Sequence, residues 1–273
     1  MKHALRNPLA LIGFSIIAVI LLLALIAPLI APYDPNAINV KAILLAPEAN
    51  HWMGTDGLGR DVLSRMLYGG RISLLVGFVA VGIATLIGIV LGAVAGFYRG
   101  WVDTIIMRTV DVMLSIPTFF LILAVIAFLT PSIWNIMIVI GLTSWMGVTR
   151  LVRAEFLSLR NREFVLAAQA LGAKDARLIF THLLPNSLTP IIVSSILGIA
   201  SAVLVESGLS FLGLGVQAPQ ASWGNILTDG KEYIQFAWWL SLFPGLAILL
   251  TVLGYNLLGD GLRDAYNPRS NQH

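Results

Sequence analysis

Five long stretches of this chain carry no Asp, Glu, Lys or Arg: Asn7 to Tyr33, Ile72 to Tyr98, Val112 to Thr149, Leu178 to Val205 and Tyr233 to Gly259. A helix needs about 20 predominantly apolar residues to cross about 30 Å of hydrocarbon. Four of the runs suit one crossing each. The Val112–Thr149 run is long enough for two short crossings, with Thr130-Pro131-Ser132 placed for the turn between them. The chain is 58% hydrophobic and 11% charged, against roughly 25% charged residues in an average soluble domain. The reading is an all-α, polytopic membrane protein with six transmembrane helices. The first run follows the basic opening Met1-Lys2-His3-Ala4-Leu5-Arg6. As a cleaved signal it is about twice the usual apolar length of roughly 7–15 residues, and Pro32 directly follows the best cleavage position, Ala31. An uncleaved first span is expected.

Orientation follows from the loops. With the N-terminus in the cytoplasm, the inner segments hold Lys2, Arg6, Arg99, Arg108, Arg150, Arg153, Arg160, Arg162, Lys174, Arg177, Arg263 and Arg269. The outer segments hold only Lys41, Arg60, Arg65, Arg71 and Lys231. Basic residues accumulate on the cytoplasmic side, so an N-in, C-in topology is expected. The same bias accounts for the net charge of +3 without any nucleic-acid partner. The expected organisation is residues 1–71 as a first span with an outer loop and interfacial helix, 72–265 as a five-helix core, and 266–273 as a cytoplasmic tail.

Three loops stand out. Residues 33–71 end in a segment where Val62, Leu63, Met66 and Leu67 recur at helical spacing opposite Arg60, Asp61, Ser64 and Arg65. This is the pattern of a short interfacial helix, or of a plain lead into the second span. The segment of about 150–185 interleaves charges with Ala, Leu and Phe, is broken at Gly172 and closes at Pro185. It is several times longer than the usual connection of about 2–8 residues. Two short helices around a glycine break suit a docking element better than a bridge. The outer loop of about 206–233 is apolar but rich in Gly and Pro, which suits a re-entrant or plugging segment packed on the bundle.

Absences bound the chemistry. There is no cysteine, which removes disulfides, thiolate metal sites and thiol nucleophiles. The four histidines are far apart, and neither a Gly-x-x-x-x-Gly-Lys-[Ser/Thr] phosphate loop nor His-Glu-x-x-His occurs. No cofactor or catalytic residue is implied. The spans are nearly free of ionisable groups, which argues against an ion-coupled carrier. Arg108 and Asp111, three residues apart, are placed to pair on one helix face, and Glu206 reads as an interfacial acid at the outer end of span five. Gly88, Gly92 and Gly96 make a smooth face for close helix approach, inside the chain or between subunits.

Glu163-Phe164-Val165-Leu166-Ala167-Ala168-Gln169-Ala170-Leu171-Gly172, with His182-Leu183-Leu184-Pro185 following at the right spacing, resembles the EAA loop of ABC-importer permeases. Ala167, Ala168, Gly172, Leu184 and Pro185 match that pattern, whereas Leu166 stands for its Glu and His182 for its Ile. His51-Trp52-Met53-Gly54-Thr55-Asp56, Gly59-Arg60-Asp61-Val62, Leu209-Ser210-Phe211-Leu212-Gly213-Leu214-Gly215-Val216 and Asn256-Leu257-Leu258-Gly259-Asp260-Gly261-Leu262-Arg263 look like the peptide/nickel branch. Within it they resemble the C-type subunit of dipeptide and oligopeptide importers.

The resemblance implies a type I importer permease fold in a bacterial or archaeal cytoplasmic membrane. It implies a non-enzymatic chain that works with a second, B-type permease, two ABC ATPases and an extracytoplasmic solute-binding protein. Glu163, Leu166, Ala167, Ala168, Gly172, Ala173, Lys174, Asp175 and Pro185 would couple to an ATPase. Gly54, Asp56, Arg60, Asp61, Phe211, Leu212 and Gly213 would gate the outer mouth or meet the binding protein. The implied cargo is a di- or oligopeptide, with nickel or a metal chelate as the alternative.

Overall fold

A computed structural model describes residues 7–265. The basic opening through Arg6 and the 266–273 tail lie outside the described residues. Those described form helices α1 (Pro8–Leu25), α2 (Ala27–Ile30), α3 (Val62–Tyr98), α4 (Gly100–Ser115), α5 (Thr118–Ile126), α6 (Ile133–Thr143) and α7 (Trp145–Leu159). They continue with α8 (Glu163–Ala170), α9 (Asp175–Arg177), a π-helical turn at Leu178–Leu183, α10 (Leu184–Phe211), α11 (Trp223–Lys231) and α12 (Trp239–Ala265). Five helical segments are long and apolar enough to cross a bilayer, and α4 with α5, bent by 82°, supplies a sixth if counted as one span.

That bend corrects the expectation for the third crossing. The charge-free run starts at Val112, yet its helix starts at Gly100, and Pro117 breaks it. Proline lacks a backbone N–H and disfavours helix in the residue before it; Ile116 is accordingly extended. The nine residues of α5 rise only about 14 Å, too short to cross alone. Ser132 caps α6, accepting from the Trp134 N–H, so the turn does fall where Thr130-Pro131-Ser132 placed it.

The central member is α3. Its 37 residues run unbroken from the outer loop through the bundle, so the segment after Arg60 is the beginning of span two and not a separate interfacial helix. It packs against α1, α4, α6, α7, α10 and α11. The Gly88, Gly92 and Gly96 stripe faces α7: a Cβ on Gly92 would lie 2.6 Å from the Thr149 carbonyl oxygen and 2.7 Å from Val152 Cβ. The stripe is therefore an internal contact. On the other side α1 lies against α12, where a Cβ on Gly13 would sit 2.5 Å from the Leu258 nitrogen. With no hydrophobic force between helices in lipid, such backbone approach supplies the dispersion contacts that hold them.

Three apolar clusters fill the bundle. One joins α1, α3, α10, α11 and α12 around Trp223, Trp239 and Tyr255. The second joins α3, α5, α6 and α10 around Ile122, Met137 and Leu209. The third, around Phe97, Val152, Phe156 and Leu183, lies where α3 meets α7 and the α8–α10 segment. Gly92→Leu is expected to wedge α3 from α7 and lower stability by roughly 1–3 kcal/mol. Gly82→Leu, where an added Cβ meets nothing within 4 Å, is expected to be neutral. Thermal unfolding in mild detergent compares the two.

Candidate functional site

The chain offers two elaborated ends. At the first, α8 follows α7 through a tight turn and stops in a two-bond C-cap. The Gly172 N–H donates to the Gln169 carbonyl at 2.9 Å and the Ala173 N–H to the Ala168 carbonyl at 3.0 Å. This closure requires a left-handed residue, and Gly172 supplies it at φ +79°. Val165 is fully buried in the third cluster and anchors the helix. The rest of its surface is open: Phe164, Leu166, Ala167 and Ala170 are exposed, as are Glu163, Lys174 and Asp175, and Leu171 is 89% exposed. Phe180 extends this apolar surface.

The second short helix expected after Gly172 is not independent. Asp175 to Phe211 is one continuous helical span, and Pro185 lies within it just after the π-helical turn at Leu178–Leu183. Basic side chains brace this end from within. Arg153 holds Asp103 through Nε at 2.5 Å and Nη2 at 2.6 Å, a two-pronged pair with stronger directionality than a single contact. Arg160 donates to the Phe97 carbonyl. Asp111 pairs with Arg150 on α7, not with Arg108 on its own helix, because the loop folds α7 alongside α4.

At the opposite end the outer loop and α11 are fastened to α3. Asp61 caps α3, its Oδ2 accepting from the Ser64 N–H at 2.8 Å, while its Oδ1 meets His51 Nδ1 at 2.9 Å. Asp56 accepts from Arg60 Nε at 2.7 Å and from the Arg60 N–H at 3.0 Å. Arg60 Nη2 and Arg65 Nη2 both reach Asp229 Oδ2 on α11, at 3.2 Å and 3.3 Å. Asp56, Arg60, Asp61 and Arg65 are all buried, although the helical pattern set Arg60, Asp61 and Arg65 on the polar side of an interfacial helix. Loss of surrounding water pushes the Asp229 carboxyl above the usual carboxylate range, against the pull of Arg65 and Arg60. Gly54, at φ +74°, lets the loop lie against Trp239, whose Nε1–H donates to the Thr55 carbonyl at 3.0 Å. Phe211 and Leu212 are exposed and Gly213, at φ +79°, ends α10. Those three residues thus lie on the surface, unlike the buried Asp56, Arg60 and Asp61.

Glu206 joins this construction from below. It is fully buried, not interfacial. Its carboxylate accepts from Ser210 Oγ at 2.8 Å and from Ser73 Oγ at 3.1 Å. Each serine in turn accepts a backbone N–H: Trp223 of α11 donates to Ser73 Oγ at 3.2 Å, and Val216 of the loop to Ser210 Oγ at 3.2 Å. A carboxylate near a helix N-terminus is favourable, and Gly224 permits the approach, since a Cβ there would lie 2.6 Å from Ser210 Cβ. The importance of Ser73, Ser210 and Asp229 was hidden in sequence. The one signal was Glu206 itself, a carboxylate at the edge of an apolar run.

Residues 88–272 match the model of a family described as binding-protein-dependent transport system inner membrane components. The chain belongs to that family. Residues 1–47 match the N-terminal transmembrane domain of oligopeptide transport permease C. The dipeptide transport system permease protein DppC of Alkalihalophilus pseudofirmus is 47% identical, covering 98% of this chain and 88% of its own length. The oligopeptide transport system permease protein OppC of Bacillus subtilis is 40% identical, covering 96% and 86%. The probable D,D-dipeptide transport system permease protein DdpC of Escherichia coli is 45% identical, covering 97% and 89%. In fold, the chain is similar to a chain of the MetNI methionine ABC transporter in an inward-facing conformation, with TM-score 0.62 and 17% identity over 76% of this chain and 98% of that one.

Removing Glu206 tests the fastening. Glu206→Ala leaves the Ser73 and Ser210 hydroxyl protons buried without their acceptor, a loss of about 1–3 kcal/mol for each stranded group. Glu206→Gln keeps the shape and one acceptor oxygen, so it is expected to lose less. Thermal unfolding of the purified protein ranks wild type, Glu206→Gln and Glu206→Ala in that order.

Proposed function

We propose that the chain is one permease subunit of an ATP-driven importer of di- or oligopeptides, working with a second, B-type permease, two ABC ATPases and an extracytoplasmic solute-binding protein. The observation that carries this reading is α8: a short helix anchored by one buried residue, with an apolar surface that its own chain leaves open. Aliphatic side chains held out on a capped, rigid turn suit a cleft in another protein. The family membership supports the same reading, and the likeness to dipeptide and oligopeptide permeases favours peptide as cargo.

In this account the α8 end faces the cytoplasm in a bacterial inner membrane, and the outer loop with α11 faces the binding protein. ATP-driven closure of the ATPase pair presses on α8 and tilts the spans between inward-open and outward-open arrangements. Gly54, Asp56, Arg60 and Asp61 hold the outer rim in shape, while Phe211, Leu212 and Gly213 offer the exposed surface that a binding protein can touch. No residue of this chain performs hydrolysis; the work is supplied through docking.

The deciding experiment is assembly and transport. Co-expression with the partner subunits is expected to yield a complex with ATP-dependent peptide uptake in proteoliposomes, and a complex that moves Ni²⁺ but no peptide would replace the cargo assignment. Leu171→Glu changes an exposed residue, so membrane insertion should be normal while ATPase co-purification falls at least tenfold. Gly172→Trp should have the same effect, because a bulky side chain at the C-cap keeps α8 out of its cleft. Full recovery of ATPase with both variants would remove α8 from the coupling role. A reporter fused after His273 is expected to be active only in the cytoplasm.

A further inference from the structure

Partway along the spans, α3, the α6–α7 junction and α10 enclose a cavity of about 230 Å³. Its lining includes the hydroxyls of Thr85, Ser144, Ser194, Ser195 and Ser201, with the remaining positions taken by small or apolar residues and no charged group. Thr85 Oγ1 and Ser195 Oγ lie 2.9 Å apart across the α3–α10 contact. Ser144 interrupts the helix between α6 and α7 at φ −118°, ψ 1°, and its side chain makes no cap hydrogen bond. Ser144, Gly147 and Ser201 are exposed, so the cavity opens on the surface of this chain.

Lipid is a poor occupant for such a face. Irregular backbone at membrane depth is tolerated where it is buried in protein or lines a water-filled cavity, not where it meets acyl chains. A hydroxyl donates one hydrogen bond and accepts two. Ser195 Oγ donates to the Ile191 carbonyl at 2.9 Å, Thr85 to Ser195, and Ser201 Oγ to the Leu197 carbonyl at 3.4 Å. The Ser144 and Ser194 protons are thus left to meet a peptide C=O, while lone pairs of the group can accept its N–H. It has no charge with which to select a side chain or trap a terminus. It also lacks the carboxylate, imidazole or thiolate donors that a metal ion prefers.

We propose that this hydroxyl-lined cavity is the part of the chain that touches the cargo, reading the amide backbone of a passing peptide and ignoring its side chains. The proposal rests on the permease reading above and adds the contact residues and the chemistry they recognise. It implies weak, sequence-blind contact, which suits passage better than retention.

The native chain has no cysteine, so Ser194→Cys and Ser201→Cys are unique labels within it. The test uses the complete complex in proteoliposomes, with a charged, membrane-impermeant thiosulfonate as probe and mass spectrometry of this chain as readout. Both cysteines are expected to react, and transported peptide supplied with binding protein and ATP is expected to slow the reaction at least threefold. Leu204→Cys, exposed and absent from the lining although it lies between the lining residues Ala202 and Val205, serves as a control whose labelling peptide should not change. Ser144→Ala combined with Ser194→Ala should lower uptake of peptides of different side chains by a common factor of about three or more. Reaction only with a lipid-soluble maleimide, no reaction at all, or reaction that peptide leaves unchanged would each overturn the proposal while uptake by the wild-type complex persists. A wild-type complex with no ATP-dependent peptide uptake would instead overturn the permease reading on which it stands.

Discussion

A buried carboxylate organises one end of this molecule. Glu206 has no exposure to water and is held by Ser73 and Ser210. A buried carboxyl group left without hydrogen-bond partners in an apolar bundle would cost several kcal/mol, so its surroundings must answer it with dipoles. The serine hydroxyls do so, and because their lone pairs then face outward, each receives a backbone N–H from the loop or from the first residue of α11. One acidic side chain thereby fixes three segments distant in sequence. Trp223, placed by this arrangement, sends its indole N–H to the Met66 carbonyl at 3.1 Å and closes the packing between α11 and α3.

The two ends solve opposite problems. Around Asp56, Arg60, Arg65 and Asp229 the charges are paired and largely shut away, which makes removal of any one partner expensive and the geometry hard to deform. Arg65 keeps Nη1 buried without a hydrogen-bond partner, so this group stores some cost of its own. At α8 the last backbone groups are satisfied locally by the C-cap, and beside the exposed charges of Glu163, Lys174 and Asp175 the surface left open is apolar: Phe164, Leu166, Ala167, Ala170 and Leu171. A closed charged cluster resists rearrangement, whereas an open apolar helix gains by being covered.

Much of this was legible from residues. Runs without charge located the crossings because hydrocarbon penalises charge regardless of packing. Gly172 announced the end of α8 because the cap needs a left-handed residue. The Gly88–Gly96 stripe signalled close approach but not its partner, since a smooth face looks the same from inside the chain or outside. The bend between α4 and α5 was missed because hydropathy does not see Pro117 acting across an otherwise apolar run. Asp111 was given the wrong partner because near neighbours on a helix are visible in sequence, while Arg150 reaches it only after the chain folds back. The buried state of Glu206 and Arg60 depends on α11, whose position no local pattern encodes.

The longest consequence lies in the continuity of Asp175 to Phe211. Its 37 residues extend about 55 Å, with the turn beside α8 at one extremity and the Glu206 serine cluster near the other. A strut of that kind leaves little slack, so in the coupling proposed above a displacement at one extremity would be carried to the other. The π turn at Leu178–Leu183 and Pro190 within α10 are the places where such a strut can yield. Because each helical residue advances the direction of a side chain by about 100°, inserting one residue there would turn Glu206 away from Ser73 while leaving α8 where it is. The length of this member, counted in whole residues, therefore sets the phase between its two ends.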